Sequence, residues 1–153
     1  MDSNQLLEHN PTIKIDEEFG TISLYQAESL ILVDWKRQVA FEERKFCLLE
    51  ALSLIKQHQV KYLLINDQHI FYLSPEEKNW IARDWVESAS ASPLLKIGVV
   101  FLENYNMLIN STDFTSQLQK LYKEKGKIQL RAFTNFPCAL AWVSPGQEDY
   151  GFL

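Results

Sequence analysis

Residues 60–66 read VKYLLIN, a nearly continuous apolar run. Such a run suits a strand covered on both faces. Three more runs share its character: LILVD at 30–34, IGVVFL at 97–102 and IQLRAF at 128–133. Each of the four is followed by a segment with helical periodicity. Strands alternating with helices call for parallel pairing and an α/β domain. No catalytic or metal-binding signature accompanies the pattern, so the architecture is easier to read than the chemistry.

Working outward, residues 41–58 form the first helix. Phe41, Leu48, Leu52 and Ile55 recur at helical spacing, with Glu42, Glu43, Arg44, Lys45, Lys56 and Gln57 on the wet face. Ser74-Pro75-Glu76-Glu77 is a helix start: Ser74 caps, Pro75 suits the first turn and Glu77 completes a capping box. That helix runs to about Ser88 and stops at ASASP, residues 89–93. A third helix begins near Thr112 or Asp113, carries Phe114, Leu118, Leu121 and Tyr122, and ends at Gly126. A short fourth helix from about Asn135 carries Phe136, Leu140 and Val143.

Ahead of the first helix, residues 19–27 (FGTISLYQA) alternate as a strand does. Only Glu28-Ser29 separates them from residues 30–35, which implies an antiparallel hairpin. The expected order is ββαβαβαβα, an N-terminal hairpin on an otherwise parallel sheet. Right-handed crossovers that all progress one way put the helices on one face. A reversal puts them on both faces and opens a ligand crevice. The sequence leaves both arrangements open. Residues 1–18 read as a polar leader, 19–143 as one domain and 144–153 as a loose tail.

The 153 residues suit a single domain, and 46% apolar with 23% charged excludes disorder of the whole chain. A formal charge of −5 argues against nucleic acid as a partner. The basic stretch KLYKEKGK at 120–127 is interrupted by Glu124 and reads as a solvated helix end. Cys47 and Cys138 lie far apart in apolar helical stretches, where a free cysteine behaves as a small hydrophobe. Two cysteines allow a disulfide on count alone, but this is not the Cys-dense pattern of small secreted domains. The N-terminus lacks a basic region followed by an apolar one, so no signal peptide is expected. No apolar run approaches the roughly 20 residues of a membrane span. A cytoplasmic location without stable membrane insertion is the resulting expectation.

Glycines stand scattered at 20, 98, 126, 146 and 151, so no phosphate-cradling loop exists. His9 and His58 lack metal-ligand spacing, and no cofactor or metal is expected. Asn110-Ser111-Thr112 matches a glycosylation acceptor but reads as a helix-start turn with Asp113.

Two groups of residues stand out. Ligands of parallel sheets favour the carboxyl ends of strands, which marks Trp35, Arg37, Asp67 and His69 as a polar strand-end site. Within it, a carboxylate beside an imidazole orients a general base, but no nucleophile accompanies Asp67 and His69. Trp80 and Trp85 lie about 140° apart on an α-helix and do not both face one core. Trp80 is therefore expected at the surface with Phe71 and Tyr72, as an apolar patch of the kind that binds partners.

Several elements together resemble STAS-like domains, the fold of the SpoIIAA-like anti-sigma-factor antagonists, and more closely the STAS/SEC14-type bacterial proteins. The carrying residues are Trp35 ending a strand, the helix at 41–58, the strand ending Asn66-Asp67, and the capped helix with Trp80 and Trp85. The strand KIGVVFL and the segment FTNFPCALAW at 133–142 complete the set. The resemblance covers about residues 19–143. Regulatory members carry a phosphorylatable Asp-Ser-Ser/Thr-Gly motif after the third strand, where this chain has Asn66-Asp67-Gln68-His69. The resemblance thus does not extend to a phosphorylation switch. It implies a non-catalytic regulatory or protein-interaction module, self-associating as a homodimer or binding a protein partner. The SEC14-like relatives imply an alternative, a carrier of a small apolar or lipid-like ligand. An enzyme is the weakest reading.

Overall fold

The computed structural model describes residues 10–102 and 105–143, with 105–112 described by their backbone alone. Six strands lie side by side in chain order: β1 Ile13–Glu17, β2 Gly20–Tyr25, β3 Leu30–Trp35, β4 Tyr62–Asp67, β5 Lys96–Phe101 and β6 Gln129–Phe133. The first two pairings are antiparallel and the next three parallel. Helix α1 is Phe41–His58. Helix α2 joins an α segment Pro75–Trp80, a π turn Ile81–Trp85 and an α segment Val86–Ser90. Helices α3, Tyr105–Lys125, and α4, Phe136–Val143, follow.

The strand order never reverses, so the three crossover helices share one face, as crossovers of one hand require. Ile31, Val33, Leu63, Ile65 and Ile97 point to that face and bury against Cys47, Leu48, Trp85 and Tyr122. The period of two sends Leu30, Leu32, Leu64 and Val100 to the other face. There α4 covers them with Ala139, Leu140 and Val143. Gly98 permits that approach: a Cβ would stand 3.2 Å from both Leu64 Cδ1 and Val143 Cγ1. The crevice that a reversal of strand order creates is absent from this topology.

The structure departs from the sequence reading in several places. Ile13–Glu17 is a strand, where a leader was expected. Its Ile13 and Ile15 are half-buried while Lys14 and Asp16 face solvent, the alternation of an edge strand. The 3-10 turn Gln26–Glu28, closed by Ser29 at φ 53°, fills the break between β2 and β3. Helix α3 starts at Tyr105, so Asn110-Ser111-Thr112 lies inside it. Those capping-type residues suggested a start, and the surrounding helix overrode their weak preference. His9 and the segment 144–153 lie outside the described residues. Among the described residues, no helix is long and apolar enough to cross a membrane.

Candidate functional site

Arg44 enters the interior through its place on α1. Phe41, Arg44, Leu48, Leu52 and Ile55 follow three- and four-residue steps, so Arg44 stands on the apolar stripe and not on the wet face. Its side chain is only 3% exposed. A buried guanidinium needs partners, and neighbouring elements supply them. Its Nε donates to Glu77 Oε2 at 2.7 Å. Its Nη1 stands 3.9 Å from Asp67 Oδ1, and its plane lies 5.3 Å from the Trp35 ring centre.

Glu77 serves two elements at once. Its backbone N–H donates to Ser74 Oγ at 3.1 Å, and its Oε1 accepts from Ser74 N at 3.2 Å. This is the capping box expected from Ser74-Pro75-Glu76-Glu77, and its second oxygen holds Arg44. Asp67 closes the cluster. The β3–β4 register pairs Asp34 with Asn66, which brings Trp35 abreast of Asp67, and the Trp35 indole donates to Asp67 Oδ1 at 2.8 Å. Burial pushes the Asp67 carboxyl above its ordinary range, against the opposing pull of Arg44 and the indole.

Beside this cluster opens a cavity of about 200 Å³ between the sheet and the three crossover helices. Ile65, Ile97 and Val99 form its floor; Leu48, Ile81 and Trp85 form one wall; Phe114, Leu118 and Tyr122 form the other. Arg44, Asp67, Lys78 and Thr115 lie on its lining, with the phenol-bearing Tyr72 and Tyr122. Burial pushes the ionisation of the Tyr122 phenol upward, against the opposing pull of the Trp85 side chain. Phe71, Tyr72 and Leu73 contribute the rim.

The rim loop is held by one amide. Gln38 Oε1 accepts from the backbone N–H groups of Phe71 and Tyr72 at 2.7 and 3.1 Å, and Gln38 Nε2 donates to the Tyr72 carbonyl at 2.9 Å. Ile70 anchors the loop, 1% exposed. The rings of Phe71 and Tyr72 stay 62% and 63% exposed. Nothing in the local sequence marked Gln38 for this role.

Trp80 does not join Phe71 and Tyr72 at the surface, which corrects the expected patch. It is 8% exposed, with Phe41 packed at 6.0 Å and Trp85 at 6.5 Å between ring centres. The 140° offset assumed an unbroken α-helix. The π turn at Ile81–Trp85, with hydrogen bonds reaching five residues back, brings residues five apart close to one face.

The polar strand-end group divides in a similar way. Trp35 and Asp67 meet, as described. Arg37 lies in an outer ion-pair network: its guanidinium binds Glu43 at 2.8 Å and Glu18 at 2.6 Å. The hydrogen bonds from Arg37 and from the Ala40 amide pull Glu43 down to about 2. His69 is exposed and acts on Asp34, on the opposite sheet face from Asp67. Asp34 also accepts from Asn66 Nδ2 at 3.2 Å, while burial raises its carboxyl. Asp67 is engaged by the Trp35 indole and Arg44 and makes no hydrogen bond to His69, so the two form no dyad. Arg44 is the member that sequence reading missed; the signal was its stripe position, outweighed by its charge.

Both cysteines are free, with Cys47 buried and Cys138 exposed. Among the described residues, no group of three or more His, Cys, Asp or Glu side chains is placed to hold a metal ion. Compared with protein-family models, curated proteins and solved structures, the chain shows no significant match.

Proposed function

We propose that this chain is a non-catalytic, STAS-like module that holds a small apolar ligand between its sheet and its crossover helices. The cavity carries the reading. Ligand sites are concave, mostly apolar and furnished with a few convergent polar groups, and the lining of this one has that composition. The engagement of Asp67 by the Trp35 indole and Arg44, with no hydrogen bond to His69, supports a non-catalytic role. The antiparallel opening followed by three β-α-β steps supports the STAS-like reading.

Calorimetric titration with ethylbenzene, a compact apolar probe, tests the proposal. The wild type binds it saturably. Val99→Phe, which places a ring in the cavity from its floor, weakens binding at least tenfold while the melting temperature stays level or rises. Absence of saturable binding, or equal binding by the variant, refutes the reading.

A second reading, self-association through the rim, draws on the exposure of Phe71 and Tyr72 over a clamped backbone. It predicts a dimer in sedimentation velocity that Phe71→Ser with Tyr72→Ser converts to monomer. A wild type that stays monomeric at all concentrations removes the homodimer.

A further inference from the structure

β1 is an edge of the sheet. Among the described residues β2 is its only strand neighbour, so about half of its backbone N–H and C=O groups face outward. Its five residues alternate: Ile13 and Ile15 are half-buried against the core on the side of α1, and Lys14 and Asp16 are exposed on the other. α1 extends the apolar side. Phe46 and Leu49, three apart, are 43% and 45% exposed, and Phe46 meets Phe19 of the β1–β2 turn edge-on at 6.2 Å. We infer that this edge is a self-association surface, occupied by β1 of a second copy of the chain. The two strands pair antiparallel about Ile15, with Lys14 of each copy opposite Asp16 of the other. The inference is independent of the cavity and uses different residues from the rim.

The order Ile-Lys-Ile-Asp-Glu, residues 13–17, points to a second copy and sets the register. Residues opposite one another in an antiparallel pair share a face and interact directly. Centred on Ile15, the pairing sets Ile15 against Ile15, Ile13 against Glu17, and Lys14 against Asp16 twice over by symmetry. The interface is isologous and self-complementary in charge. Moving the centre to Lys14 sets lysine against lysine, and moving it to Asp16 sets aspartate against aspartate. Like charges directly opposite are destabilising. A centre between two residues mixes the apolar face with the charged one. Five paired residues alone make a small contact, whereas specific interfaces bury about 1,200–2,000 Å². Phe46 and Leu49 add apolar area, because this register puts α1 of both copies on the same face of the joined sheet.

Sedimentation velocity over a concentration series of the full chain tests this. The wild type dimerises. Lys14→Asp and Asp16→Lys, each alone, weaken the dimer about tenfold, since each turns two attractions into two repulsions. Mixed in equal amounts, the two variants form a heterodimer, because an acidic edge then meets a basic one. That rescue separates lost charge pairing from misfolding, as unfolded chains do not restore each other. Phe71→Ser with Tyr72→Ser stays dimeric. A wild type that is monomeric at all concentrations overturns the inference, and so does a dimer indifferent to both charge variants. Loss of the dimer in the Phe71 and Tyr72 variant assigns association to the rim and overturns the edge. Charge variants that each keep the wild-type circular dichroism spectrum yet stay monomeric on mixing overturn it as well.

Discussion

Arg44 faces two carboxylates, and their roles differ. Glu77 makes the short contact and also caps α2, so its charge is well compensated. Asp67 stands 3.9 Å away, is 14% exposed and has its carboxyl raised by burial. A carboxyl raised in the folded state stabilises fully below its unfolded value and loses that contribution as pH climbs through the folded value. At neutral pH its ionised form is thus a burden on the fold. Asp67→Asn keeps an oxygen for the Trp35 indole and removes the charge. The expected result is a melting temperature above wild type at pH 7, with the gap narrowing as pH falls toward 4. A lower melting temperature at pH 7 would show that Arg44 depends on Asp67 as much as on Glu77. The residue scale is also where the sequence misled most. Position 44 belongs to the stripe of Phe41 and Leu48, but arginine is seldom fully buried unless paired. Its partner sits 33 residues away, and no local pattern announces it.

Among the elements, α1 and the capped start of α2 were legible because their signals are local: apolar spacing in one, Ser74 and Glu77 in the other. The π turn was not, because a widened turn leaves no mark in residue type, and it moved Trp80 from the expected surface into the core. The start of α3 was misplaced for the opposite reason, since Asn110 to Asp113 look like a cap. The rim loop borders the cavity. Gln38 alone bonds the amides of both Phe71 and Tyr72. Gln38→Ala is expected to speed hydrogen exchange at those two amides at least tenfold while β4 keeps its protection. Unchanged exchange at Phe71 and Tyr72 would mean that Ile70 alone fixes the loop. The same amides are exposed on a surface loop, so global stability should fall by less than about 1.5 kcal/mol, the worth of an ordinary hydrogen bond.

At the scale of the molecule, an α/β chain with an antiparallel opening was readable from four apolar runs and the helices between them. The strand order was not, because pairing partners are chosen by tertiary packing. That order decides where a site lies. Six strands in sequence place the crossover helices on one face, remove the switch-point crevice and leave a cavity between sheet and helices, where the proposed ligand would sit. β1 escaped notice because five residues with charged neighbours resemble a leader. The central claim is that this space takes a small apolar molecule, and diffraction from crystals soaked in bromobenzene tests it most directly. The account predicts an anomalous bromine peak bounded by Val99, Phe114 and Leu118. Peaks confined to the surface, with none between sheet and helices, would contradict it.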